Sequence, residues 1–165
     1  MTKVAAIQMV SGLNIKNNLD EMNRLVCKAT QKGANLVLLP EFFALLSDQH
    51  EDKVSHAETP LDLYKDCSLI TQLSPIQRAL SRAAKDNNVW VVGGTIPLKT
   101  ERKNKIFNSM LAFNEKGILV GRYDKVHLFK NKKKKENYDE TKFISSGKKK
   151  CLIKTPVGNT FFSVC

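Results

Sequence analysis

The chain has no apolar run near the length that spans a bilayer. Met1-Thr2-Lys3 also leads straight into a strand-like run, without the charged, apolar and small-residue zones of a secretion signal. These absences argue against membrane insertion and export, and predict a cytoplasmic, soluble protein. Paired cysteines are lacking too: Cys27, Cys67, Cys151 and Cys165 have neither CxxC nor any other metal-ligand spacing. In a cytosolic chain free thiols are the expectation, so no structural metal or disulfide is implied. Acidic residues are in short supply, 16 Asp and Glu against 27 Lys and Arg, for a formal charge of +11. Much of the excess sits in Lys130, Lys132 to Lys135 and Lys148 to Lys150, and these runs lack the interleaved aromatics or glycines of nucleic-acid modules. Like charges repel, so a solvated, mobile loop is expected there, and a contact with nucleic acid or another polyanion is the lesser reading. No internal repeat is visible.

What remains is an ordinary globular composition. At 165 residues and 42% hydrophobic content, residues 1–165 are expected to form one domain with a sizeable core. Val4 to Met9 is apolar except for Gln8, the pattern of a strand covered on both faces. Leu19, Met22, Leu25, Val26 and Ala29 recur at helical spacing with Gly33 as the stop, and Leu36 to Leu39 gives a second strand. Ser47 to Thr59 is polar, acidic and without period, hence a surface loop or short turns. Ser74-Pro75 predicts a helix start with the hydroxyl as cap, and Ile76, Ala79, Leu80, Ala83 and Ala84 mark its buried stripe. Val89 to Val92 is a third strand, ending at Gly93-Gly94. Asn108 to Phe113 and Ile118 to Asp124 flank a polar turn and predict a hairpin, and a second hairpin follows over Cys151 to the end. The order βαβ, helix, β, hairpin, hairpin indicates a layered α/β domain with a mixed sheet.

Three apolar runs finish on reactive groups. Leu36 to Pro40 ends at Glu41, Gly121 to Asp124 at Lys125, and Thr160 to Val164 at Cys165. If the three lie side by side in one sheet, a carboxylate, an amine and a thiol meet at the edge where α/β sheets hold ligands. The chemistry needs all three. A thiol with a pKa near about 8.5 is only slightly ionised at neutral pH, and attack on an amide requires a base or a stabilising cation beside it. His127, between Val126 and Leu128, reads as a packed or hydrogen-bonded structural residue rather than a base. Cys27, Cys67 and Cys151 read as structural, with Cys27 on the buried stripe of its helix.

Val4-Ala5-Ala6-Ile7-Gln8-Met9, Leu39-Pro40-Glu41, Gly93-Gly94-Thr95-Ile96-Pro97, Asn108-Ser109, Tyr123 to Phe129 and Ser163-Val164-Cys165 together resemble the nitrilase, or carbon–nitrogen hydrolase, superfamily. Within it the chain is most similar to Nit-type amidases, a group that includes ω-amidases and deaminated-glutathione amidases. The resemblance implies the N-terminal portion of a nitrilase-like αββα sandwich that pairs as a homodimer. It also implies hydrolysis of a small linear amide to acid and ammonia through a cysteine thioester. In that scheme Glu41 is the general base, Lys125 the catalytic lysine, Cys165 the nucleophile and Glu140 a second active-site glutamate. Family members continue beyond the nucleophile, so the chain that ends at Cys165 is expected to be truncated and inactive alone. The competing expectation is a non-catalytic remnant whose basic loop holds an anionic partner.

Overall fold

The computed structural model describes residues 1–64, 74–133 and 136–164. Strand β1 is Val4–Ala6, helix α1 Ile15–Gln31, β2 Leu36–Leu38, helix α2 His50–Ser55 and helix α3 Pro75–Asp86. There follow β3 (Trp90–Lys99), β4 (Ile106–Phe113), β5 (Leu119–Asp124), β6 (Lys130–Lys133), β7 (Glu136–Asp139), β8 (Leu152–Thr155) and β9 (Gly158–Phe161), with a 3₁₀ turn at Glu140–Lys142.

The first five strands form one sheet in sequential order. β1, β2 and β3 run parallel, while β4 is antiparallel to both β3 and β5. β5 therefore points the same way as β2, and both deliver their C-terminal ends to one edge.

Side chains alternate across this sheet with period two. Val37, Val91, Leu111 and Phe113 face α1 and α3, where Met22, Val26, Ala29, Ile76, Leu80 and Ala84 complete the larger core. Leu36, Val92, Met110, Ala112 and Tyr123 face the other way, under Cys151, Phe162 and Val164. Helix α1 follows its predicted stripe and stops at Gly33, whose φ of 82° suits a residue without Cβ. The hairpin of β4 and β5 turns at Asn114 to Gly117 as expected.

Several expectations need correction. β1 is not covered on both faces: it is the sheet's edge strand and Val4 is 52% exposed. The stretch from Ser47 to Thr59 contains helix α2 rather than turns alone. The lysine-rich segment contains strand structure, Lys130–Lys133 pairing antiparallel with Glu136–Asp139, and Lys130 Nζ lies 3.6 Å from Asp139. Lys148, Lys149 and Lys150 are exposed and irregular, as foreseen. Cys27 is exposed, since the helix turns the face of Met22, Val26 and Ala29 inward and leaves position 27 outside it. His127 is also exposed rather than packed. Cys151 is buried, while Cys67 lies outside the described residues.

The start of α3 is informative. Ser74 occupies the N-cap position without a side-chain cap bond. Instead the buried carboxylate of Glu58 accepts the N–H groups of Ile76 and Gln77 and the side-chain amide of Gln77. A residue 18 positions upstream thus satisfies the free amides of the first turn, and a negative charge there suits the helix dipole.

Candidate active site

β2 and β5 are separated by β3 and β4, three inter-strand steps or roughly 14 Å. Side chains at their ends cannot meet without help from the backbone. The connection after β2 supplies it by crossing over Gly94: a Cβ there would lie 1.8 Å from the Pro40 carbonyl oxygen. Only a residue with no side chain lets the chain pass this close. Phe42 then turns back in a left-handed conformation, φ 57°, and donates its N–H to the buried Thr95 hydroxyl at 2.9 Å. This strained turn aims Glu41 across the sheet end.

There Glu41 meets two partners on one oxygen. Asn108, fully buried on β4, donates its side-chain N–H to Glu41 Oε1 at 2.8 Å, and Lys125 Nζ stands 3.1 Å from the same atom. Lys125 is 3.0 Å from Glu140 as well, so its ammonium sits between two carboxylates. Side-chain exposure is 2% for Lys125, 3% for Glu140 and 33% for Glu41, which makes Glu41 the acid that faces outward. Among the described residues no hydrogen bond reaches Glu41 Oε2.

Burial pulls the lysine pKa down, but hydrogen bonds and charge attraction from Glu140 and Glu41 outweigh it and hold Lys125 above its ordinary 10.5. It is an ammonium at any physiological pH.

Glu140 is fixed independently of Lys125. Its carboxylate accepts the Phe129 N–H at 2.8 Å and its own N–H donates to the Phe129 carbonyl, while Asp139 caps the 3₁₀ turn through Thr141. Gly147 presses this segment against the end of β5, its N–H on the Lys125 carbonyl; a Cβ there would lie 2.1 Å from the Asp124 oxygen. Asp124 is engaged elsewhere, taking the Ser109 hydroxyl at 2.6 Å and a two-pronged contact from Arg122.

Three of the four predicted residues, Glu41, Lys125 and Glu140, are therefore brought together. The fourth, Cys165, lies outside the described residues. The idea of one sheet carrying all three reactive ends is corrected: β8 and β9 form a separate two-stranded sheet, and β9 stops at Phe161. Phe162 and Val164 leave the strand to fill the second core. Sequence reading assigned no role to Asn108, although an amide inside an apolar strand is a sign that something must satisfy it. A broad depression lined in part by Phe107, Arg122, Asp124 and Thr141 does not include the acid–lysine cluster.

Residues 3–165 match the family described as carbon-nitrogen hydrolase. The chain belongs to this family. Among curated carbon–nitrogen hydrolase relatives, nitrilase homolog 2 of Dictyostelium discoideum is 32% identical over 127 residues, covering 77% of this chain and 35% of that protein. The deaminated glutathione amidase of Yersinia enterocolitica is 31% identical, covering 98% of this chain and 53% of its own. The crystal structure of Saccharomyces cerevisiae Nit3, a member of the nitrilase superfamily, superimposes with a TM-score of 0.80 at 26% identity, covering 99% of this chain and 55% of that one. The fold is thus that of the nitrilase superfamily, and the chain spans between a third and about half the length of these proteins.

Proposed function

We propose that the protein containing this chain is an amidase that cleaves a small linear amide to a carboxylic acid and ammonia. The observation that carries this reading is the buried Lys125 ammonium between Glu41 and Glu140, at the sheet edge where β2 and β5 end. Cys165 attacks the amide carbon while Glu41 accepts the thiol proton through Oε2, the oxygen that Asn108 and Lys125 leave unengaged. Lys125 stabilises the negative oxygen of the tetrahedral intermediate. The carbon–nitrogen bond breaks as the proton passes from Glu41 to the leaving nitrogen, giving ammonia and a thioester. Glu41 then deprotonates a water, which releases the acid and restores the thiol. Glu140 holds Lys125 in place throughout. These steps call for no metal or organic cofactor.

The same proposal has the enzyme acting in the cytoplasm as a homodimer on a small molecule, with nucleic acid not a partner. Ammonia release from short linear amides by the protein as its gene encodes it provides the test. Cys165→Ala, Glu41→Gln and Lys125→Gln are each expected to lower kcat by about 10³-fold or more while the circular dichroism spectrum is retained. Hydrolysis that survives Cys165→Ala overturns the mechanism. Absence of hydrolysis, together with nucleic-acid binding that falls steeply with salt, would instead favour a binding role for the basic segment.

A further inference from the structure

The backbone of Glu41 is held by groups that do not touch its carboxylate. Its neighbour Phe42 donates its N–H to Thr95, and the ammonium of Lys53, buried on helix α2, lies 4.6 Å from the centre of the Phe42 ring. The carboxylate is 33% exposed, and the last torsion of a glutamate is broad and nearly two-fold, so the course of the chain does not decide which oxygen points where. Lys125 does not decide it either. An ammonium is a rotatable point charge that either oxygen can satisfy. Its donors are also shared with Glu140 and, in the reaction above, with the negative oxygen of the intermediate.

Asn108 has the direction that Lys125 lacks. Its planar amide is fully buried on β4 and aims Nδ2 at Glu41 Oε1, 2.8 Å away. Its main-chain carbonyl accepts the Lys125 N–H at 2.9 Å. One residue therefore grips the base through its side chain and the lysine through its backbone. Asn108 Oδ1, meanwhile, is buried without a hydrogen-bond partner. An orphaned oxygen costs stability, and an apolar side chain of similar size would avoid that cost in a buried strand. What the nitrogen does, rather than the packing of β4, thus accounts for an amide at this position. Stability given up to orient a reacting group marks a functional position. Resting on the amidase reading above, we propose that Asn108 is a positioning residue of the reaction. By occupying Oε1 it keeps Oε2 turned first to the Cys165 thiol and then to the attacking water, and it goes on holding the base while Lys125 serves the oxyanion.

Asn108→Val separates this role from a structural one, since it removes the amide and suits a buried strand. In the protein as its gene encodes it, kcat for butyramide hydrolysis is expected to fall about 10- to 100-fold, with KM within about threefold of wild type. The urea midpoint is expected to stay level or rise. A midpoint that drops together with kcat would mean that the amide is structural, and an unchanged kcat would mean that Glu41 is oriented without it; both overturn the proposal. Should the valine variant not fold, Asn108→Asp keeps the shape and replaces the donor with an acceptor. Its kcat is expected to fall at least as far, and a wild-type kcat overturns the proposal.

Alkylation of Cys165 by iodoacetamide at neutral pH, followed on its own peptide by mass spectrometry, reads the same coupling without turnover. Asn108→Val is expected to slow it about tenfold when Glu41 is present and less than about twofold in a Glu41→Gln background. Equal slowing in both backgrounds would mean that Asn108 does not act through Glu41, which overturns the proposal. Slowing that depends on Glu41 in a protein that hydrolyses no amide would remove the amidase reading and leave the positioning of Glu41 standing. Butyramide hydrolysis at the wild-type rate by Asn108→Val would do the reverse.

Discussion

At the residue scale, the site depends on two glycines as much as on its acids. Gly94 is where the Pro40 carbonyl crosses the sheet, and the approach leaves no room for a methyl group. Gly94→Ala is therefore expected to push the Glu41 segment outward. We expect a loss of about 2 kcal/mol or more in stability from overpacking against backbone, and a fall in amidase kcat of about 100-fold from an ångström-scale displacement of the base. Denaturant melts and ammonia release on one preparation check both. A variant with wild-type kinetics would mean that Glu41 is not held by this crossing. The sequence marks Gly93-Gly94 only as a glycine pair after an apolar run; what approaches Gly94 is decided by a chain segment more than fifty residues earlier.

At the element scale, helix α3 owes its start to Glu58 rather than to Ser74. Glu58→Ala removes the acceptor of two backbone amides in a buried place, and is expected to cost about 2–3 kcal/mol. The pH dependence has a definite sign. Burial raises the Glu58 pKa above its ordinary 4.5, only partly opposed by the hydrogen bonds from Ile76 and Gln77. In the window above 4.5 the folded chain then binds more protons than the unfolded one, so this group's contribution is fullest below 4.5 and declines as pH rises through the folded value. Urea melts of wild type and Glu58→Ala from about pH 4 to about pH 7 should show the gap between them narrowing upward. A gap that widens with pH would mean that the charged cap dominates. The N-cap motif was legible as Ser74-Pro75, and the helix does begin at Pro75; the group that caps it was not, because Glu58 comes from the far side of an intervening segment.

At the scale of the whole molecule, the sheet needs both faces covered, and the two faces are covered unequally. Helices α1 and α3 close one side, whereas the other relies on the β8–β9 hairpin with Phe162 and Val164. Phe162 is 3% exposed, and its ring stands close over Gly121 on β5. Phe162→Ala is expected to destabilise the fold by about 3–5 kcal/mol, read from urea midpoints at constant m. A cost below about 1 kcal/mol would show that this face does not depend on the hairpin.

The sequence by itself determined the local elements, for periodicity and turn chemistry act within a few residues. The α1 stripe, the β4–β5 hairpin and the strand ends that carry Glu41 and Lys125 were all readable that way. Tertiary structure alone decided how those ends meet across two intervening strands, that Asn108 fixes one oxygen of Glu41, and that Lys53 turns inward among rings from two separate segments. It also decided that Val4 remains exposed and that the last apolar run leaves its strand at Phe161. The physical reason is common to all of these: a buried charge or amide is settled by whichever group stands beside it in space, and the neighbours of Lys53, Asn108 and Glu58 lie from 11 to 90 positions away along the chain.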